Sequence, residues 1–248
     1  MAVPRIAVRV HVAPLILVLT LVVLRNTGTA QTTTTAITHH RVQVSDSSLE
    51  LTQAEAAIQR HDFSTAETLL QKFVEANPEN YQAWFDLGFV FHALGKSDES
   101  VAAYRKSVGA NPNVFESNLN LGLTLAQSRN PQAEQFLRAA TRLTPTDHVE
   151  EDQARAWRSL GHILAESKPD EALGAYLHAS ALQPADPEAH LSAGSILEKE
   201  NRFAEAAKEY QQALTLDPLS RDALTGLANV YTRQRQFPEA ESILRKLS

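Results

Sequence analysis

The same order of residue types recurs along the chain and constrains its fold more than any other feature. One copy places Trp84, Leu87, Gly88 and Tyr104 ahead of a closing Pro112. A second copy has the matching residues Trp157, Leu160, Gly161, Tyr176 and Pro184. The closing prolines are separated by 34, 33, 39 and 34 residues: Pro78, Pro112, Pro145, Pro184 and Pro218. Internal repeats with a period of about 20 to 50 residues indicate supersecondary units that stack on one another.

Each copy has the spacing of two amphipathic helices joined by a turn. Trp84, Leu87 and Phe91 fall on one face of the first helix. Gly88 lies on the same face, and its lack of a side chain lets a partner helix approach closely. We expect the same close approach at the equivalent glycines of other copies: Gly122, Gly161 and Gly194.

This pattern resembles the tetratricopeptide repeat (TPR), in which W-x2-L-G-x2-Y is followed by A-x3-F and then P over about 34 residues. The resemblance implies an all-α fold, a right-handed α-solenoid of about six helix-turn-helix repeats. The predicted solenoid covers 47–248, with repeats at 47–80, 81–114, 115–147, 154–186, 187–220 and 221–248. Since a helix-start signal, Asp147 with Glu150, precedes the fourth repeat, we expect its first helix to begin early.

Composition excludes several classes of function. The formal net charge is −6, whereas nucleic-acid binding needs a concentrated basic face, so we expect no nucleic-acid partner. The chain has no cysteine, which excludes a disulfide framework, a thiolate metal site and a thiol nucleophile. It also lacks the phosphate-binding glycine motifs and the common serine and zinc hydrolase motifs. We therefore expect no enzymatic activity and no cofactor.

Three histidines, His162, His178 and His190, are near enough in sequence to consider as metal ligands. Their spacing matches none of the usual zinc-ligand frames. Single histidines on helices usually lie at the surface or at the edge of the core. We expect no metal site.

The first thirty residues have the features of an export signal. Arg5 and Arg9 precede an apolar run of thirteen residues from Val12 to Leu24, and a small residue, Ala30, ends the segment. This order predicts a signal peptide at 1–30, cleaved after Ala30. The run is short for a membrane span, which needs about 20 apolar residues. We expect an exported protein that is periplasmic or secreted. The alternative is a protein held at the inner membrane by this segment as an uncleaved anchor, which would be its one contact with a membrane.

A threonine-rich stretch at 31–46 follows the signal and shows no helical period. Composition of this kind predicts a flexible linker. His39 and His40 lie within it, but two adjacent imidazoles without further ligands make a weak metal chelate.

The resemblance implies a concave groove, lined by the first helices of the repeats, that accepts a partner peptide or helix. Residues one, five and eight places after each Trp84-like position lie about a third of a turn from the packing face. With Arg155 nearby, the predicted groove residues are Phe85, Phe89, His92, Leu119, Leu123, Arg155, Arg158, His162 and Asn229. They form an apolar wall in the second and third repeats and a basic spot in the fourth. For Phe85 and Phe89, packing between repeats is an equally good interpretation.

By this resemblance the chain is a non-enzymatic scaffold that binds a protein or peptide partner. The alternative is a structural, self-associating module of an envelope assembly. The last helix carries Ile243, Leu244 and Leu247 without a polar capping helix after them. An apolar face of this kind predicts a homodimer through the C-terminal face.

Overall fold

The computed structural model describes residues 49–247, which contain twelve α-helices and no strand. We refer to the odd-numbered helices as A helices: α1 (Leu49–Gln59), α3 (Tyr81–Ala93), α5 (Phe115–Gln127), α7 (Val149–Leu164), α9 (Pro187–Lys199) and α11 (Arg221–Arg233). The even-numbered helices are the B helices: α2 (Phe63–Ala76), α4 (Ser97–Ala110), α6 (Ala133–Ala140), α8 (Pro169–Leu182), α10 (Phe203–Leu216) and α12 (Phe237–Leu244). The predicted signal or anchor at 1–30 and the predicted linker at 31–46 lie outside the described residues.

The helices stack in the order of the sequence. Each helix from α1 to α11 packs on the next helix along the chain. Contacts that skip one helix join A helices, since α1 meets α3, α5 meets α7 and α9 meets α11. The A helices therefore line the inner, concave side. The fold is an all-α solenoid of helix-turn-helix repeats, which confirms the prediction from the repeat pattern.

In the second to fifth repeats, a glycine of the A helix lies against a large side chain of the B helix. A Cβ atom added at Gly88 would lie 2.7 Å from the ring of Tyr104. The same distance separates a Cβ at Gly161 from the ring of Tyr176. Both rings are almost fully buried, with 0% and 2% of their residue surfaces exposed. The close approach predicted for these glycines is confirmed.

Side-chain N–H groups near the start of the A helices form hydrogen bonds that link neighbouring repeats. The indole Nε1 of Trp84 donates a hydrogen bond of 2.8 Å to the carbonyl oxygen of Pro78, which closes the preceding repeat. Asn118 occupies the equivalent position in the next repeat, and its Nδ2 donates to the carbonyl oxygen of Pro112 at 2.9 Å. This contact is therefore maintained where the tryptophan of the repeat pattern is replaced.

The junction between the third and fourth repeats departs from the regular period. Helix α6 has 8 residues, where α2, α4, α8 and α10 have 14. Helix α7 has 16 residues and begins at Val149, which confirms the predicted early start. Its N-cap is His148 in the left-handed conformation, rather than Asp147. Glu116 holds the connecting loop, because its Oε1 accepts hydrogen bonds from the backbone N and the Oγ1 of Thr146.

The glycine contact can be tested with a matched pair of substitutions. Gly88→Ala places a methyl group against the Tyr104 ring, and overpacking of this kind costs about 1 to 3 kcal/mol. Gly109→Ala is the control, because Gly109 lies within α4 and has no atom within 4 Å of an added Cβ. Alanine is favoured over glycine in a helix by about 1 kcal/mol. We expect urea denaturation to show Gly88→Ala destabilised and Gly109→Ala stabilised. Equal effects would contradict this packing role.

Candidate binding groove

Three of the predicted groove residues lie in the core. Phe85, Leu119 and Leu123 are each 1% exposed. The ring of Phe85 lies 5.8 Å from the ring of Tyr104, centroid to centroid. Leu119 and Leu123 of α5 belong to one core cluster with Leu160 of α7. A side chain with 1% exposure offers almost no surface to a partner, so the structure gives these three residues a packing role.

Phe89 and His92 lie at the border between core and surface. Both are half-buried, and the ring of Phe89 meets the ring of Phe63 edge-on, with 6.1 Å between centroids. Burial lowers the pKa of His92 below its usual range, because the charged imidazolium loses hydration. The apolar wall predicted for the second and third repeats is therefore largely part of the core, with Phe89 at its edge.

Acidic side chains neutralise the basic spot that we predicted in the fourth repeat. The side chain of Arg158 is 8% exposed, and its guanidinium forms an ion pair with Asp186 and lies 3.7 Å from Glu188. Arg155 lies 3.9 Å from Asp152, and burial lowers its pKa. Asp186 is the N-cap of α9 and Glu188 lies in the first turn of that helix. Sequence reasoning missed both as partners. An arginine between two carboxylates holds neighbouring repeats together more than it attracts an anion.

His162 is the most accessible predicted residue of the fourth repeat, with 40% of its side chain exposed. Its Nδ1 lies 3.1 Å from the hydroxyl of Tyr176, and its Nε2 lies 3.8 Å from Glu188. Burial raises the pKa of Tyr176 to about 12, so this hydroxyl keeps its proton at neutral pH. The imidazole is thus oriented by α8 and α9 while one of its edges faces the groove.

An open part of the concave side lies along α7, α9 and α11. Asn229, the last predicted groove residue, is exposed on α11. A cavity of about 330 Å³ includes His162, Tyr176, Ser195, Lys199 and Asp222 in its lining. Ser195 lies five places after the Trp84-like position and was among those the geometry selects. Lys199, at the end of α9, was missed, because only three positions of each helix were considered.

A second cavity adjoins the first, since Ser195 and Lys199 line both. It has a volume of about 300 Å³, and its lining is Ser195, Glu198, Lys199, Asn201, Phe203 and Arg233. The two cavities extend the concave surface from the fourth repeat to the sixth. Of the predicted residues, His162 lines the first cavity, and Asn229 is exposed on α11 outside the lining of both.

Helix α12 presents a mixed outer face. Leu244 is 51% exposed and Phe237 is 62% exposed, whereas Ile243 and Leu247 are half-buried. An ion pair of 2.7 Å between Glu241 and Arg245 flanks Leu244. The apolar face predicted from Ile243, Leu244 and Leu247 is thus reduced to one strongly exposed leucine beside a charged pair.

Two further properties concern residues 49–247 alone. No group of three or more histidine and acidic side chains in this range is arranged to hold a metal ion. None of the helices in the same range is both long and apolar enough to cross a membrane.

The division between core and groove predicts different effects of two substitutions. Phe85→Ala removes a buried aromatic side chain and should cost about 3 to 5 kcal/mol of unfolding free energy. Asn229→Ala changes an exposed side chain, and we expect a change within about 0.5 kcal/mol. Thermal or urea denaturation measures both. A Phe85→Ala variant as stable as the parent would show that this ring lies at the surface.

Family models and relatives support the same repeat architecture. The tetratricopeptide repeat model matches residues 51–115, 90–148 and 164–220, and a second tetratricopeptide repeat model matches 197–248. Together these regions cover more than half of the chain. Mouse protein O-mannosyl-transferase TMTC3 is 24% identical over 198 residues, which are 75% of this chain and 22% of that protein. The chain thus spans about a fifth of this relative, and the transferase named there is a much longer protein.

Solved structures share the fold at low sequence identity. The crystal structure of YrrB, described as a TPR protein with an unusual peptide-binding site, has a TM-score of 0.62 and 20% identity. That match covers 71% of this chain and 89% of YrrB. PilW, a type IV pilus biogenesis factor, has a TM-score of 0.61 and 15% identity over 80% of this chain and 90% of PilW. At these identities the likeness concerns the fold alone.

Proposed function

Because the chain belongs to the tetratricopeptide repeat family, we propose that it binds a segment of a protein partner on the concave side of its A helices and acts as a scaffold without catalysis. The observation that carries this proposal is the open groove along α7, α9 and α11. There two adjoining cavities share Ser195 and Lys199. The peptide-binding site named for YrrB, a protein of the same fold, supports this choice of function.

The chemistry of the open groove suits an extended segment. It offers hydrogen-bonding side chains, Ser195, Asn201 and Asn229, and an aromatic surface at Phe203. A few polar groups that fix orientation beside apolar surface are typical of recognition sites. The second and third repeats would contribute mainly stability, since Phe85, Leu119 and Leu123 are buried there.

We further propose that this binding takes place outside the cytoplasm. The support is the order of charge, apolar run and small residues in the first thirty positions of the sequence, which is typical of an export signal. N-terminal sequencing of the protein isolated from its host would test this proposal. A first residue at Gln31 is expected, whereas an intact Met1 would contradict cleavage.

Self-association through the C-terminal face is the second candidate function. Exposed Phe237 and Leu244 favour it, while the Glu241–Arg245 ion pair beside Leu244 makes the face more soluble. Light scattering distinguishes the two functions, because a dimer that Leu244→Glu converts to a monomer would support self-association.

Site-specific photo-crosslinking tests the groove directly. A benzophenone amino acid at Asn229 or Ser195 should form covalent adducts with a partner in cells that express the full chain. Lys208, which is exposed on the B helix α10, is the matched control position and should form none. The melting temperature of each variant should stay within a few degrees of the parent. Equal adducts from Lys208 and Asn229 would contradict the groove as the binding site.

A further inference from the structure

Two cations line the groove cavity between α9 and α11, and they identify a chemical class of partner. We propose that Lys199 and Arg233 bind acidic side chains of an extended partner segment. This inference rests on the proposed function, because it names the partner of the same groove. The occupant is a segment that carries aspartate or glutamate next to apolar residues.

Lys199 and Arg233 occupy equivalent positions in neighbouring repeats. Each is the last residue of its A helix, α9 or α11, and each is exposed. Both side chains line the cavity of about 300 Å³. Neither forms an ion pair with a carboxylate in the described part of the chain, unlike Arg138, Arg158 and Arg202. Two cations that line one cavity and form no ion pair with the described residues attract an anionic ligand.

The one carboxylate in the lining of this cavity is already engaged. Glu198 lines the same cavity, and its Oε2 accepts a hydrogen bond of 2.9 Å from the hydroxyl of Tyr210. Burial raises the pKa of Tyr210, so its hydroxyl remains a donor at neutral pH. One carboxylate and two cations leave this cavity with a net positive charge.

The other acidic groups near these cations lie outside this cavity. Glu166 and Glu200 line a separate cavity with Lys199, and Glu200 lies 3.3 Å from the guanidinium of Arg202. Asp222 precedes Arg233 by eleven residues on α11, which is about 16 Å along a helix. Glu188 likewise precedes Lys199 by eleven residues on α9, and it lies near Arg158 and His162. At physiological salt the screening length is about 8 Å. Salt therefore screens Asp222 from Arg233 and Glu188 from Lys199, whereas Asp222 and Lys199 both line the neighbouring cavity of about 330 Å³.

The remaining lining fits a carboxylate on an aliphatic stem. Ser195 and Asn201 supply neutral hydrogen-bond donors, and Phe203 supplies an apolar surface. Ser195 and Lys199 also line the neighbouring cavity of about 330 Å³. A segment that crosses α9 can thus place one acidic residue near Arg233 and continue past Lys199 toward His162.

Fluorescence anisotropy with the full chain tests this proposal. The probe is a labelled, C-terminally amidated peptide, Ser-Asp-Leu-Glu-Val-Asp-Ser, and its twin carries Asn and Gln in place of Asp and Glu. We expect the acidic peptide to bind at least about tenfold more tightly than the twin, with affinity that falls as salt rises. The double substitution Lys199→Gln with Arg233→Gln should weaken the acidic peptide about tenfold. Lys208→Gln, on the exposed surface of α10, is the matched control and should leave binding unchanged.

The other outcomes would overturn the proposal. Equal affinities of the two peptides, or an unchanged affinity after the double substitution, would show that these cations do not select the partner. Absence of binding by both peptides at about 1 mM would do the same. A twin with a free C-terminal carboxylate that binds as tightly as the acidic peptide would identify a chain terminus as the ligand instead. In each case crosslinking from Asn229 still reports separately on whether the groove binds a protein at all.

Discussion

Close contact between a small residue of one helix and a large side chain of the next is the interaction on which the solenoid depends. Gly88 and Gly161 allow the rings of Tyr104 and Tyr176 to lie against the backbone of an A helix. In the fifth repeat Tyr210 lies between two such positions, Gly194 of its own repeat and Gly226 of the next. Each contact fixes the distance between the two helices of one repeat or between helices of neighbouring repeats. The curvature of the concave side follows from these distances, repeated along the chain.

The helices are predictable from the sequence because the residues that pack between them recur at a regular spacing. Leu87, Gly88 and Tyr104 return at the same spacing in other repeats, so a single sequence contains several copies of the evidence for their role. The early start of α7 was also predictable, since the capping signal is local. The choice of His148 as N-cap was not, because it depends on the loop that Glu116 holds from a different helix.

The groove was predictable only in part, because accessibility depends on contacts between repeats. Leu123 and Asn229 each lie five places after the Trp84-like position of their repeat, yet Leu123 is 1% exposed and Asn229 is exposed. The spacing of the repeats alone does not show which neighbouring residue covers a given side chain. Likewise, the charge of Arg158 is visible in the sequence, but its neutralisation by Asp186 requires knowing how α7 meets the start of α9. Features shared by the repeats therefore specify the fold, and differences among equivalent positions specify the surface.

The central claim is that the concave face is closed at Leu123 of the third repeat and open at Ser195 of the fifth and Asn229 of the sixth. The absence of cysteine from the chain makes the claim directly measurable, because a single cysteine can be introduced at Leu123, Ser195 or Asn229 and its rate of reaction with a thiol reagent followed. We expect fast labelling at positions 195 and 229 and, at position 123, labelling slower by a factor of about 100 or more. Equal labelling rates at the three positions would contradict this account.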